Sequence, residues 1–288
     1  MSVIGSGEAF MLASGDDAYT IERSLRFQPG DSPGLSRSFT HAGNRRTWTL
    51  SAWVKRTTSF NSYRHTIASG PGTTLSFSES AQGGADSWFF YVDGTPYLLS
   101  DEVLRDTAAW YHVVFVFDTT NGTAADRCRL YKNGVRVTSW RNTAYPAQNF
   151  EGSFNTAGTH KIGYGNANEV LDGYLADVHF VDGQALDPTS FAETDEDTGA
   201  WNPIKYKGTY GNNGFKLVFD PVAGLGKDSH GGESAQITTS NITAASTSSV
   251  SLGGSSTGNN STSQSEVNNA FDNNTSTFFG FSGGGSNP

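Results

Sequence analysis

The chain has 288 residues, of which 35% are hydrophobic, 12% aromatic and 16% charged, and its formal net charge is −9. Proteins that bind nucleic acid present a basic face to the phosphates, so this charge argues against a nucleic-acid partner. The longest mainly apolar run, Trp110–Phe117, is far shorter than the ~20 residues of a membrane-spanning helix, and the N-terminus lacks the features of a secretory signal, so no membrane insertion is expected.

Strand patterns begin soon after an N-terminal region rich in Gly, Ser and Asp. Ser24–Phe27 is the first short strand, and Thr47–Lys55 is the first long one. Alternation along the long strand predicts that Trp53 lies on one face, while the opposite face carries Trp48, Leu50, Ala52 and Val54.

Two dipeptides predict tight hairpin turns, because Asp-Gly and Asn-Gly tolerate the positive φ angles of such turns. They are Asp93-Gly94 and Asn133-Gly134. Between them, Trp110–Asp118 is apolar on both faces, which predicts a central strand covered on both sides. The single cysteine, Cys128, precedes the second turn, and we interpret it as a buried, unreactive thiol.

The later strand patterns continue to about residue 220. Gly173–Val181 alternates so that one face is predicted to carry Tyr174, Ala176, Val178 and Phe180. A short helix is expected near Asp187, with this residue as the cap and Pro188 in the first turn. Phe215–Phe219 is expected to be the closing strand. Many short strands and little helical periodicity predict an all-β, two-sheet antiparallel sandwich.

Composition predicts four parts, with extended polar segments at both ends of the β domain. Residues 1–20 are expected to form an arm and residues 21–230 the sandwich. Residues 231–265 are a linker rich in Ser, Thr, Gly and Asn, too polar to fold alone. Residues 266–288 regain aromatics, and "NNAFDNNTSTFF" resembles the opening of a discoidin-like module, unless this part is an extended tail.

The order of the strand segments resembles the laminin-G-like, concanavalin A-like jelly-roll superfamily, whose arrangement of a Trp-led hydrophobic strand followed by "LYKNG" is present here. More narrowly, "YTIERSLRF", "GNRRTWTLSAWVKR", "DGYLADVHFVDGQALDP" and "YKGTYGNNGFKLVF" resemble modules of tail-fibre or other virion proteins of marine bacteriophages. This resemblance implies a jelly-roll fold and a non-enzymatic role in binding or virion architecture, without identifying a ligand, and we expect the ligand to be glycan on the host surface. The resemblance also implies a virion location after synthesis in the host cytoplasm, other virion proteins as partners and a homo-oligomer, with a trimer expected by analogy.

Two other functions stay open. The first is a purely structural role in capsid decoration or tail joining. The second is a glycan-degrading enzyme, because the superfamily contains glycoside hydrolases that use paired carboxylates. The nearest string is "ETDEDTG", with Glu193, Asp195 and Asp197. It has Asp197 where a Glu-x-Asp-x-Glu pattern needs its second glutamate, and it lacks strand-forming flanks, so a solvated acidic loop is favoured and no catalytic residue is assigned.

Six histidines show no zinc-binding spacing, and His112 and His179 are interpreted as packed or hydrogen-bonded side chains within strands. Calcium is the one metal considered, since laminin-G-like domains often hold it at one rim. The candidate ligands are Asn166, Asn168, Glu169 and Asp172. Asp and Asn are also common in such turns for conformational reasons alone.

Sugar binding uses aromatic rings that stack on C–H faces, so aromatics in or near loops are the candidates for a glycan site. They are Phe60, Tyr63, Trp140, Tyr145 and Trp201. For each one alone, packing over an open end of the core is the better interpretation. Only as a set on one rim would they indicate a binding site.

Overall fold

The structure, a computed structural model, describes residues 19–29, 34–57, 65–79, 84–165, 169–230 and 238–240. In these ranges two 3₁₀ turns occur, at Ala124–Asp126 and Pro188–Ser190. The strands of the same ranges are β1 (Leu25–Phe27), β2 (Gly34–Phe39), β3 (Thr47–Arg56), β4 (His65–Gly70), β5 (Thr73–Glu79), β6 (Gly84–Val92), β7 (Thr95–Ser100), β8 (Tyr111–Asp118), β9 (Cys128–Lys132), β10 (Val135–Arg136), β11 (Trp140–Thr143), β12 (Gly158–Ile162), β13 (Gly173–Asp182), β14 (Ala192–Thr194), β15 (Trp201–Pro203), β16 (Phe215–Leu217) and β17 (Thr238–Ser240).

Two large antiparallel sheets face each other across one core. The first sheet has the order β1-β13-β3-β8-β9-β10, with β16 also paired with β13. The second has the order β11-β7-β6-β5-β4-β12-β2-β17, and β14 and β15 form a separate hairpin. This arrangement confirms the predicted all-β jelly-roll sandwich. Among the described residues, none of the helices has the length and apolar character needed to cross a membrane.

The central strand β8 is buried on both faces, as its sequence predicts. Val113, Phe115 and Phe117 point into the core between the sheets. Val114 and Val116 point the other way, into a second apolar cluster that covers the outer face of the first sheet. The second cluster is completed by residues that follow β13 in the chain, among them Phe191 and Tyr210. The first sheet therefore has a cover of its own on part of its outer face.

Both hairpin predictions are confirmed by the backbone angles. Asp93 and Gly94 have φ of 48° and 84°, and they join β6 to β7. Asn133 and Gly134 have φ of 48° and 79°, and they join β9 to β10. Cys128 is buried in the core, and burial raises the pKa of its thiol.

The prediction that Tyr174, Ala176, Val178 and Phe180 share one face of β13 is wrong. The register between β13 and β3 shifts between Ala176 and His179, because three residues of β13 span two of β3. Such a bulge reverses the alternation, so Leu175, Val178 and Phe180 point into the core while Ala176 lies on the outer face. Asp177 occupies the bulge with φ of 43°.

Two further differences concern the segments after β13. Pro188 opens a single 3₁₀ turn, but the side chain of Asp187 makes no capping hydrogen bond. The segment expected to be the closing strand forms the short strand β16, which pairs with β13. The strand β17 lies in the segment predicted to be a linker, and it pairs with β2. The predicted domain limits stay predictions.

Candidate functional site

A groove of about 550 Å³ opens on the outer face of the first sheet. Trp53 and Ala176 are directly opposite each other on β3 and β13, and their neighbours Ala52, Val54 and Leu175 point into the core, so both lie on this outer face. We call this feature the tryptophan groove, and its lining residues are 19–24 on one side, Glu193, Asp195 and 201–204 on the other, and Trp53, Trp110 and Ala176 between them.

The indole of Trp201 is held in the groove by a buried histidine. Trp201 Nε1 donates a hydrogen bond to His112 Nδ1 at 3.0 Å, and His112 Nε2 lies 2.8 Å from Ser51 Oγ. An indole N–H can only donate, so His112 Nδ1 must accept and Nε2 must carry the proton that it donates to Ser51. Burial lowers the pKa of His112 to about 3. The ring is therefore neutral and cannot act as a base toward Ser51.

The turn between β9 and β10 leaves room for the same indole. A Cβ atom added to Gly134 would lie 2.8 Å from the Trp201 ring, and the φ of 79° at this position also favours glycine. The rings of Trp53 and His112 stack with centroids 5.0 Å apart, and the centroids of His112 and Trp201 are 6.0 Å apart. A continuous aromatic row thus crosses from β3 to β15.

The other wall, residues 19–24, is anchored through Tyr19. Tyr19 Oη donates to Asp177 Oδ1 at 2.8 Å and accepts from Lys216 Nζ at 2.7 Å. Lys216 Nζ also lies 3.3 Å from Asp177 Oδ1 and 4.8 Å from the centre of the Tyr19 ring. Burial raises the pKa of Asp177, but His179, Lys216 and Tyr19 outweigh burial and lower it to about 2. An ionised carboxylate at the β13 bulge therefore fixes this wall.

His179 completes this buried polar group. Its Nδ1 atom lies 2.7 Å from Tyr210 Oη, within hydrogen-bond distance, and its Nε2 atom lies 3.0 Å from Asp177 Oδ2 without forming an aligned hydrogen bond. Both His112 and His179 are thus packed and hydrogen-bonded in strands, as the sequence predicts.

The acidic string lies partly in the groove. Glu193 and Asp195 line it, whereas Asp197 is exposed in the turn after β14. Asp195 Oδ1 accepts hydrogen bonds from Thr198 Oγ1 at 2.8 Å and from the backbone N–H groups of Thr198 at 2.7 Å and Asp197 at 3.1 Å. These bonds lower the pKa of Asp195. A general acid in glycoside hydrolysis needs a raised pKa, so Asp195 is unsuited to that role.

Of the aromatics chosen from the sequence, those that the structure describes do not form one set. Phe60 and Tyr63 lie outside the described residues. Trp140 and Tyr145 are partly buried against the core near the edge strand β11, and Trp201 lies in the groove on the outer face of the first sheet. Sequence reasoning missed Trp53 and Trp110 as residues of the groove. A signal was present for Trp53, which alternation had placed on the face opposite Trp48, Leu50, Ala52 and Val54.

Of the four calcium candidates, the structure describes Glu169 and Asp172, whereas Asn166 and Asn168 fall outside the described residues. Asp172 Oδ1 accepts from Arg26 Nη2 at 2.6 Å and from Thr57 Oγ1 at 2.7 Å. A guanidinium in direct contact opposes a second cation at this carboxylate, so Asp172 does not fit a calcium ligand in this arrangement. The described ranges contain no cluster of three or more His, Cys, Asp or Glu residues suited to a metal. Calcium binding stays a prediction.

Comparisons with known proteins agree with the fold. A family model, Laminin_G_3, described as the concanavalin A-like lectin/glucanases superfamily, matches residues 30–190, more than half of the chain. No curated protein matches the sequence.

Several solved structures resemble the chain. A candidate carbohydrate-binding protein from Bacteroides ovatus is 15% identical with a TM-score of 0.50, over 76% of this chain and 58% of that one. A native heptameric SAP-like pentraxin from Limulus polyphemus is 18% identical with a TM-score of 0.39, over 59% and 80%. Domain 4 of AbnA, an extracellular arabinanase from Geobacillus stearothermophilus, in complex with arabinotriose, is 16% identical with a TM-score of 0.36, over 51% and 65%. The chain thus spans less than two thirds of the first and third of these chains, and at such identities the likeness concerns the fold.

Proposed function

We propose that this chain, which belongs to the concanavalin A-like lectin/glucanase superfamily, is a non-enzymatic glycan-binding protein of a bacteriophage virion, carried on a tail fibre or another surface appendage. The tryptophan groove is the observation that carries the glycan-binding part. Trp53, Trp110 and Trp201 line it together with carboxylates and the amide of Asn202. Flat indoles stack on the C–H faces of sugar rings, while carboxylates and amides bind hydroxyl groups.

The proposal is binding without turnover, and the state of Asp195 in the groove supports it. Glycoside hydrolysis needs one carboxyl group that stays protonated near neutral pH beside a second that is ionised. The hydrogen bonds to Asp195 favour its ionised form. The buried pair of Ser51 and His112 supplies no nucleophile either, since the imidazole donates its proton toward the serine oxygen.

The virion context is supported by the resemblance of four sequence phrases to virion proteins of marine bacteriophages. Display of several copies suits such a location, because linked weak sites together bind far more tightly than one site does. We therefore include a homo-oligomer, with a trimer expected by analogy, and other virion proteins as partners. The recognised ligand in this proposal is glycan on the host surface.

The first test is binding of the full chain to a glycan array and to host cells. Trp110→Ala should weaken binding at least tenfold, since a tryptophan central to an interface contributes about 2 kcal/mol or more. Trp140→Ala is the matched control, because this tryptophan is also partly buried but lies outside the groove. Loss of binding in the control alone would move the site to the edge of the second sheet.

Two other outcomes would replace the proposal. If no glycan gives a signal, a purely structural role in capsid decoration or tail joining is favoured. If the protein releases reducing sugar from a polysaccharide panel and Glu193→Gln abolishes the release, the protein is an enzyme.

A further inference from the structure

We infer that the tryptophan groove selects neutral or amino-bearing glycans over glycans that carry carboxylate or sulfate groups. The inference rests on the proposed glycan binding and adds the chemical class of the ligand. It comes from the charges and the hydrogen-bonding groups that line the groove.

The charged residues of the lining are mostly acidic. Among the lining residues that the structure describes, Glu22, Glu193 and Asp195 are acidic and Arg23 is basic, so three negative groups and one positive group give a net charge of −2. The guanidinium of Arg23 lies 3.5 Å from the carboxylate of Glu22, and this pair is largely exposed to solvent. The positive charge of the lining is therefore already engaged by a carboxylate. An anionic group on the ligand would be repelled by Glu193 and Asp195, and the described cation of the lining, Arg23, is already paired with Glu22.

Hydrogen-bonding capacity points the same way. Ionised carboxylates accept hydrogen bonds and cannot donate them. The indole N–H of Trp201 is used by His112, so it is not offered to a ligand. A ligand that supplies donors, through hydroxyl, ammonium or acetamido N–H groups, matches such a lining, and bonds from these donors to carboxylates are the stronger, charge-assisted kind. A uronate or sulfate group brings acceptors only, which the carboxylates cannot satisfy.

The size of the effect follows from the separation of the charges. A ligand anion about 7 Å from a wall carboxylate, in an environment close to water, loses roughly threefold in affinity per carboxylate at low salt. Because salt screens exposed charges, this loss should shrink at about 1 M ionic strength, where the screening length is ~3 Å.

The experiment compares matched glycans on one array. Each acidic glycan is printed beside its carboxyl-reduced or desulfated counterpart, and amino sugars are printed beside their N-acetylated forms. The neutral member of each acidic pair should bind at least threefold more tightly at low salt. Stronger binding to the acidic members would overturn the inference while glycan binding itself stands. No signal on any glycan would overturn the proposed function, so the two failures are distinguishable.

A pair of variants assigns the selectivity to the groove. Glu193→Gln should reduce the preference for the neutral members by threefold or more, because it removes a wall charge. Glu196→Gln is the control, since this exposed residue lies three positions later, carries the same charge and does not line the groove. An equal reduction by both variants would show that net charge, and not the groove, sets the preference, and would overturn the inference.

Discussion

Asp177→Asn tests whether a buried charge stabilises the wall and the bulge beneath it. The pKa of Asp177 lies at about 2 against an ordinary value of 3.8, and the residue is only 3% exposed. This difference corresponds to about 2 kcal/mol of folding free energy, since one pH unit of difference in pKa is worth ~1.4 kcal/mol. Asparagine accepts the positive φ of 43° found here, so the substitution removes the charge with little backbone strain.

The pH dependence gives the sharper measurement. Because the folded pKa is lower than the unfolded one, the stabilisation is complete above the unfolded value and is lost as the pH falls from about 4 toward 2. Urea unfolding of the parent and of Asp177→Asn should be measured from about pH 7 to about pH 2.5. At neutral pH the variant should be less stable by about 2 kcal/mol of unfolding free energy, and this difference should shrink as the pH falls. At neutral pH the melting temperature should fall by roughly 4–8 °C.

A control separates the charge from the backbone. Asp93→Asn makes the same change at a φ of 48° in an exposed hairpin turn, and it should leave the unfolding free energy within about 0.5 kcal/mol of the parent. If the difference in unfolding free energy between Asp177→Asn and the parent stays constant with pH, the reasoning is refuted. Equal stability of the variant and the parent at neutral pH would also refute it.

Three substitutions test other parts of the site, and a labelling experiment tests the core. Tyr19→Phe removes the hydroxyl that anchors residues 19–24, so amide exchange there should accelerate about tenfold and glycan affinity should fall. Trp201→Phe leaves His112 Nδ1 without its donor, which should cost ~1–3 kcal/mol in urea unfolding. Gly134→Ala should destabilise by about 1 kcal/mol or more and change indole fluorescence, because its Cβ meets the Trp201 ring. The thiol of Cys128 should react with a thiol reagent only after denaturant unfolds the protein.

The sandwich was predictable because its information is local. The alternation within β3 is enough to put Trp48 and Leu50 on the same face, which is the core face in the structure. The two residues Asn133 and Gly134 are enough to predict the turn that they form. The bulge at Asp177 was not predictable in this way. A bulge adds one residue to a strand, but the sequence does not show which residue is the extra one. An aspartate among apolar residues looks like an ordinary outward-facing position of an alternating strand.

The groove could not be predicted because its parts are distant in sequence. Trp53 lies on β3, Trp110 directly precedes the neighbouring strand β8, and Trp201 lies on β15 of the separate hairpin. The search for aromatics in loops found Trp201 and passed over the other two, since a tryptophan within a strand pattern is normally read as core. Only the pairing of β3 with β8 and β13 shows which strand residues share the outer face.

The position of the groove follows from how far the second apolar layer extends. The central strand β8 carries valines on its outer face, and these would be exposed to water without a second apolar layer. Phe191 and Tyr210 belong to that layer and help to bury them. The layer does not extend to Trp53 and Trp110, whose partly exposed rings line the groove instead. Polar groups at this boundary need partners, and the bond from Trp201 to His112 satisfies one of them. The same layer that completes the fold therefore ends where an aromatic, acidic surface begins, and the groove opens at this boundary.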